Sequence, residues 1–205
     1  KMQDEQQSIQ FFFELLSKSE NPVLFLDYDG TLAPFVANRD EAVPYIGIRK
    51  TLRDIADQTK TRLILVTGRP IVDVIPLLDL QRPLEVFGGH GWEHQMPSCD
   101  VELKKLKPEV LEKLHQAKDW IESKNYQSYS ESKHASVTIH WRGLPAEKAH
   151  EMESQAREVW TPLTNNDDLE LHAFDGGLEI RALGRNKGDV IREVLQETSI
   201  DAAAF

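Results

Sequence analysis

The stretch Val23-Leu24-Phe25-Leu26-Asp27-Tyr28-Asp29-Gly30-Thr31-Leu32 decides the fold. Its first four residues are apolar at every position, the pattern of a short strand covered on both faces, as in a parallel sheet. Its last six place two carboxylates, two residues apart, at the carboxyl end of that strand, where open α/β sheets bind their ligands. Gly30 permits a sharp turn behind them. Carboxylates this close repel unless a cation or a proton is shared between them. Mg²⁺ is the natural cation, because it takes hard oxygen ligands and tolerates a carboxylate beside a phosphate. A lone Asp-Gly often does no more than end a strand. The full six-residue string is far less easily explained that way.

Working outward, Ile48, Leu52, Ile55 and Ala56 line one helical face, and Arg62-Leu63-Ile64-Leu65-Val66 reads as a second buried strand. A short helix beginning near Pro70 leads to a third, Leu84-Glu85-Val86-Phe87. Strand, helix, strand, helix, strand implies a parallel sheet with helices on both faces. Ile9, Phe12, Phe13 and Leu16 fall at helical spacing and predict a helix packed on the body of the protein. Beyond residue 100 the pattern changes. Val110, Leu114, Ala117 and Ile121 make one amphipathic helix, and Ala149, Met152, Ala156 and Val159 another. Ser136 to Trp141 alternates, as do Leu169–Ala173 and Leu178–Ala182, the last two joined by Asp175-Gly176-Gly177 as a hairpin turn. Alternation predicts strands with one buried and one open face. Asn186-Lys187 then opens a helix carrying Val190, Ile191, Val194 and Leu195, and Ala202–Phe205 reads as the start of one more core strand.

The 205 residues are 40% hydrophobic and 28% charged, so they can bury a real core. At roughly 100–200 residues per domain they form one large domain or two small ones. With 24 basic against 34 acidic residues the net charge is −10, which argues against nucleic acid or an anionic membrane as main partner. No apolar run approaches the ~18 residues of a membrane span. Lys1–Leu16 is polar and acidic, unlike a signal sequence. The single Cys99 excludes an internal disulfide and a thiolate zinc site, so a reducing cytoplasm is the expected setting.

Asp-x-Asp-Gly-Thr-Leu after a first strand resembles the nucleophile motif of the haloacid dehalogenase (HAD)-like phosphohydrolases. The resemblance implies an α/β fold: a HAD-like doubly wound parallel-sheet core (residues 1–102 and 184–205) with an inserted α+β cap domain (103–183). It implies that Asp27 attacks phosphorus to form an aspartyl-phosphate, and that Asp29 protonates the leaving alcohol and later activates water. Asp27 and Asp29 would also hold Mg²⁺. A carboxylate nucleophile splits one hard displacement into two easier ones, and an adjacent acid/base handles the proton. Thr67-Gly68-Arg69 after the second strand matches the family's second motif, with Thr67 and Gly68 holding phosphate oxygens, although a helix N-cap explains Thr-Gly equally well. Lys187 matches the third, neutralising the nucleophile–phosphate cluster. The fourth motif, acidic residues that complete the Mg²⁺ shell, has no match. The expectation is a chain cut inside its last core strand, one that binds Mg²⁺ poorly and turns over slowly or not at all.

Gly88-Gly89-His90-Gly91-Trp92-Glu93, Glu131-Ser132-Lys133, His140-Trp141-Arg142 and Leu178-Glu179-Ile180-Arg181 together resemble the trehalose-6-phosphate phosphatases from Asn21 to Phe205. The resemblance assigns disaccharide contacts to Arg69, His90, Glu93, Glu131, Lys133, Arg142, Glu179 and Arg181. A disaccharide offers many hydroxyls and little apolar area, so its site needs charged, bidentate groups that lose heavily when unpaired. For any single one of these charges, a solvated sheet face is the commoner explanation. The expected activity is Mg²⁺-dependent hydrolysis of trehalose 6-phosphate to trehalose and phosphate. Its rivals are a HAD phosphatase for another sugar phosphate and a non-catalytic sugar-phosphate-binding module. The expected ligand is a small sugar phosphate, and functional pairing with a trehalose-6-phosphate synthase is the expected partnership.

Overall fold

The computed structural model describes residues 10–205 apart from 12, 15, 37, 166 and 198. In chain order the elements used below are β1 (Pro22–Leu26), α1 (Ile48–Gln58), β2 (Arg62–Val66), α2 (Ile71–Leu78), β3 (Glu85–Gly88), β4 (Glu93–Gln95), β5 (Val101–Leu103), α3 (Pro108–Ser123), β6 (Ser130–Ser132), β7 (Ser136–His140), α4 (Ala146–Trp160), β8 (Leu169–Phe174), β9 (Gly177–Ala182), α5 (Lys187–Leu195) and β10 (Ala202–Ala204). The chain divides into two compact units. One takes in the chain up to Glu102 together with Asn186–Phe205, and the other is Leu103–Arg185.

In the first unit the three apolar runs pair in parallel, with Leu24 opposite Leu63 and Leu65 opposite Val86. Alternate residues of each strand feed two different layers, which is why the runs are apolar at every position. Val23, Phe25, Ile64, Val66 and Phe87 pack with Val190 and Val194 of α5. Leu63, Leu65 and Val86 pack with Leu52 of α1 and with Ile71, Val74 and Leu78 of α2. β10 adds to the free side of β1 in parallel, giving the order β10-β1-β2-β3-β4-β5. The antiparallel strand β4 escapes sequence reading, because Glu93-His94-Gln95 has no apolar run. Its pairing with β3 fixes it, Phe87 lying opposite His94 with the two rings stacked 3.9 Å apart. The N-terminal helix expected at Ile9–Leu16 falls partly outside the described residues, at Ile9 and Phe12. Phe13 is 61% exposed.

The second unit is α+β, an antiparallel sheet in the order β6-β7-β9-β8 with α3 and α4. Val137 and Ile139 of β7, with Leu178, Ile180 and Ala182 of β9, are buried. Two expectations need correcting. Ser136 and Thr138, predicted to lie on an open face, are 7% and 4% exposed, because Glu179 of the neighbouring strand folds over both hydroxyls. On α4 the buried stripe is Met152, Ala156 and Trp160, at i, i+4 and i+8, while Val159 is exposed. Trp160 takes the place expected of Val159, packing edge-to-face on Trp120 at 5.7 Å.

Candidate active site

β1 delivers Asp27-Tyr28-Asp29 to the carboxyl end of the parallel sheet. Tyr28 is fully buried, and its hydroxyl donates to the Ala42 carbonyl at 2.5 Å. Its own carbonyl accepts the amides of Leu32 (2.9 Å) and Ala33 (3.0 Å), so the chain wraps tightly around it. Gly30 makes that wrap at φ +82°, and a Cβ there would lie 2.5 Å from the Phe35 ring. With Tyr28 sunk between them, the flanking carboxylates remain partly open to solvent, Asp27 at 27% and Asp29 at 28%.

Each carboxylate meets its own cation. Asp27 Oδ1 accepts the Tyr28 amide at 2.7 Å, and Oδ2 accepts from Lys187 Nζ. Lys187 is the first residue of α5, and its placement is set by a capping box. Asn186 Oδ1 accepts the Asp189 amide at 3.1 Å while Asp189 Oδ2 accepts the Asn186 amide at 2.9 Å. Both oxygens of Asp29 accept from Arg69, Nε at 2.9 Å to Oδ2 and Nη2 at 2.7 Å to Oδ1. Arg69 Nη1 donates to the Arg39 carbonyl at 2.7 Å, and the guanidinium lies 5.2 Å over the Tyr28 ring. The hydrogen bonds to Asp29 raise the Arg69 pKa further against the opposing effect of burial. At 2% exposure, with all three guanidinium nitrogens engaged, Arg69 braces Asp29. Tyr28 and Arg39 were not singled out from sequence. The only available signal was an aromatic between two acids.

Thr67 follows β2, is fully buried, and its Oγ1 accepts the Arg69 amide at 3.1 Å. The loop after β3 closes on this turn: the Gly89 amide donates to the Arg69 carbonyl (2.8 Å) and the His90 amide to the Thr67 carbonyl (3.0 Å). His90 is held at φ 59°, a left-handed conformation costing a non-glycine residue about 1–2 kcal/mol. Its ring packs on Gly68, where a Cβ would lie 2.6 Å from the imidazole. Glu93 is set back: it is 7% exposed and its Oε2 accepts the Ile71 amide at 2.7 Å, capping the N-terminus of α2. The first unit thus brings together Asp27, Asp29, Thr67, Gly68, Arg69, His90 and Lys187.

In the second unit, strand register aligns Glu131, Thr138, Glu179 and His172 in one row across the four strands, with Ser136, Arg181 and Glu170 in the next. Glu179 Oε1 accepts from Ser136 Oγ at 2.8 Å, and Arg181 Nε donates to Glu170 at 2.6 Å while Nη1 lies 3.8 Å from Glu179. Lys133 Nζ is 3.8 Å from Glu131. His140 Nε2 comes within 3.4 Å of Glu131 without the alignment of a hydrogen bond. Arg142 is apart from these, bonded to the Asp175 carbonyl at the hairpin turn and 61% exposed.

The donors at Asp27 and Asp29 are hard oxygens on partly open carboxylates, which suits Mg²⁺, an ion that keeps several waters and needs few protein ligands. Among the described residues there is no group of three or more His, Cys, Asp or Glu placed to hold a metal ion. Also among them, no helix is long and apolar enough to cross a membrane.

Known proteins carry the same fold. The C-terminal domain of Candida albicans trehalose-6-phosphate phosphatase superposes with TM-score 0.68 at 17% identity, covering 94% of this chain and 67% of that one. A HAD-like hydrolase from Bacillus subtilis gives 0.57 at 14%, over 87% and 79%. In sequence, the trehalose-phosphatase of Schizosaccharomyces pombe is 24% identical over 200 residues, 91% of this chain and 23% of that protein. "Probable trehalose-phosphate phosphatase E" of Arabidopsis thaliana is 29% identical over 210 residues, 95% and 57%. "Alpha,alpha-trehalose-phosphate synthase [UDP-forming] B" of Dictyostelium discoideum is 24% identical over 199, 90% and 24%. The chain therefore spans about a quarter to just over half the length of these relatives. The trehalose-phosphatase family profile matches residues 25–203, from within β1 to within β10 and so through both units, and the chain belongs to that family.

Proposed function

We propose that the protein hydrolyses trehalose 6-phosphate to trehalose and inorganic phosphate. The observation that carries this reading is the pair of cation-matched carboxylates flanking Tyr28, in a chain of the trehalose-phosphatase family. An Asp27 oxygen attacks phosphorus, the ester P–O bond breaks, and the leaving sugar oxygen takes a proton from Asp29. Water then attacks the aspartyl-phosphate and gives its proton to Asp29. The acyl-phosphate P–O bond breaks, and phosphate and the Asp27 carboxylate are released. Both Asp29 oxygens accept from Arg69, so carrying a proton requires one of them to let go of the guanidinium. Lys187 balances the nucleophile's charge, and Thr67 Oγ1 with the Gly68 amide holds phosphate oxygens.

The divalent ion of this reading is Mg²⁺, held by Asp27 and Asp29. When bound it supplies positive charge to the phosphate oxygens. The second unit serves as the cap, with Glu131, Lys133, Glu179 and Arg181 meeting the disaccharide hydroxyls. Arg142 and Glu93 are given no direct part here: Arg142 Nη2 donates to the Asp175 carbonyl and Glu93 Oε2 accepts the Ile71 amide. The synthase name of the Dictyostelium relative supports pairing with a trehalose-6-phosphate synthase. Phosphate release from trehalose 6-phosphate, sucrose 6-phosphate and glucose 6-phosphate tests the reading. Preference for trehalose 6-phosphate supports it, and equal rates on all three sink the sugar assignment. Glu179→Ala should cost trehalose 6-phosphate roughly 10–100-fold in kcat/KM, as loss of a charged hydrogen bond does, while leaving p-nitrophenyl phosphate untouched.

A further inference from the structure

At the amino end of the parallel sheet, away from the paired carboxylates, the first unit carries a cavity of about 200 Å³. α2 stops at Leu78, where Asp79 turns left-handed at φ 47°. The chain then crosses to β3 as an irregular segment, 80–84, and a gap opens between that segment, the last turn of α2 and the turn after β4. Buried Leu78 and Leu84 wall the gap, with Ile75 and Leu80 packed on the same core, so the walls continue that core outward. Leu84 precedes β3 and the His90 loop follows it. The length of that strand, roughly 13 Å, separates the cavity from the candidate active site.

The polar groups lining the cavity differ in what they already hold. Arg82 is engaged with α1, its Nη1 donating to Asp57 at 3.0 Å, so it brings no unmatched charge. Gln95 on β4 is 8% exposed, and its Nε2 donates to the Leu84 carbonyl at 3.3 Å. A carbonyl can only accept, so that bond assigns Nε2 and leaves Oε1 as the other end of the amide. Among the described residues nothing donates to Gln95 Oε1. A buried acceptor without a donor is unfavourable, and a ligand hydroxyl would relieve it. Apolar walls, no unmatched charge and one open polar atom make up a pocket for a small neutral molecule. An apolar cavity of about 150 Å³ accommodates benzene, so this one takes a six-membered ring with a small substituent. Cys99, the single cysteine of the sequence, also lines the cavity and is exposed.

We infer that this cavity binds a neutral, single-ring molecule of the phenol class, its ring against Leu78, Leu80 and Leu84 and its hydroxyl donating to Gln95 Oε1. Phenol is the probe, and toluene has the same shape without the donor. Cys99 supplies the readout, because iodoacetamide can alkylate one thiol in the whole protein. Phenol should slow that alkylation in a saturable way while leaving glutathione in the same solution unprotected. Gln95→Met keeps the bulk and removes the acceptor. It should lower the affinity for phenol relative to toluene about three- to tenfold, the worth of one neutral hydrogen bond. Leu80→Trp, which fills the cavity from a partly exposed position, should abolish protection by either molecule. Phosphate release should stay at wild-type values in both variants. The inference is overturned if phenol gives no saturable protection, or if Leu80→Trp leaves that protection unchanged. It is equally overturned if the phenol-to-toluene ratio is the same in Gln95→Met as in wild type. None of these outcomes depends on whether trehalose 6-phosphate is the substrate.

Discussion

The two ends of the parallel sheet use the same chemical ingredients to opposite effect. At the amino end, Glu85 on β3 is 4% exposed. Arg62 grips it bidentately at 2.7 and 2.8 Å, and His94 Nε2 lies 3.0 Å away. A third Arg62 nitrogen reaches Glu197 beyond α5 at 2.6 Å, so the cluster ties β2, β3, β4 and the chain after α5 together. At the carboxyl end, Asp27 with Lys187 and Asp29 with Arg69 are also matched one to one, but both carboxylates keep more than a quarter of their surface open. A closed ion cluster fixes geometry. An open one keeps its charge available to a ligand, and that difference separates a structural use of charge from a chemical one.

Breaking each end should therefore give opposite phenotypes. Asp27→Asn should lower kcat on trehalose 6-phosphate by at least ~10³-fold, since removal of a covalent nucleophile has that scale. Its thermal midpoint should change little, because its ionic partner Lys187 is itself partly exposed. Residual turnover near wild type would refute the covalent route. Glu85→Gln should do the reverse, costing about 1–3 kcal/mol of stability by taking from Arg62 its bidentate partner, with kcat unaffected. A loss in kcat matching the loss in stability would erase the distinction between the two ends.

The same cluster predicts a pH dependence. Burial works to raise the Glu85 pKa, but hydrogen bonds from His94 and Arg62 outweigh it and hold the carboxyl below its ordinary 4.5. A depressed folded-state pKa adds stability that is fully present above the unfolded value and is lost as pH falls through the folded one. Chemical denaturation from pH 7 down to 3 should show wild type losing stability below about pH 4.5 faster than Glu85→Gln. Parallel curves would remove Glu85 from the acid transition.

How much of this was legible in the sequence follows from which signals are local. The three parallel strands, the Asp-x-Asp turn, the capped helix at Asn186-Lys187 and the Asp175-Gly176 hairpin are each written in fewer than ten consecutive residues, and the structure places all of them. The surroundings of Arg69 were not legible because Thr-Gly-Arg says only that the arginine lies near the site. That it turns inward to Asp29 and the Arg39 carbonyl depends on a loop thirty residues earlier. The setting of Glu93 was hidden for a similar reason, its contact with the start of α2 existing only once β4 pairs with β3. The covered face of β7 was hidden because Ser136 and Thr138 are small, and the burial comes from Glu179 on another strand.

The smaller effects sharpen the contrast at the carboxyl end itself. Arg69→Lys keeps the charge but loses the fork that spans both Asp29 oxygens. It should lower kcat about tenfold with KM nearly unchanged, since the role proposed for Asp29 is proton transfer at the leaving group. An equal rise in KM would return Arg69 to the substrate. Smallest of all is Tyr28→Phe, which deletes only the hydroxyl that donates to the Ala42 carbonyl and leaves the ring under Arg69. The hydrogen bond is buried and its acceptor is then unpaired, so about 1–2 kcal/mol of stability should go. Because the ring alone supports the guanidinium, kcat should fall less than for Arg69→Lys. A larger fall would mean that the hydroxyl, through the loop it pins at Ala42, is what keeps Arg39 and hence Arg69 in place.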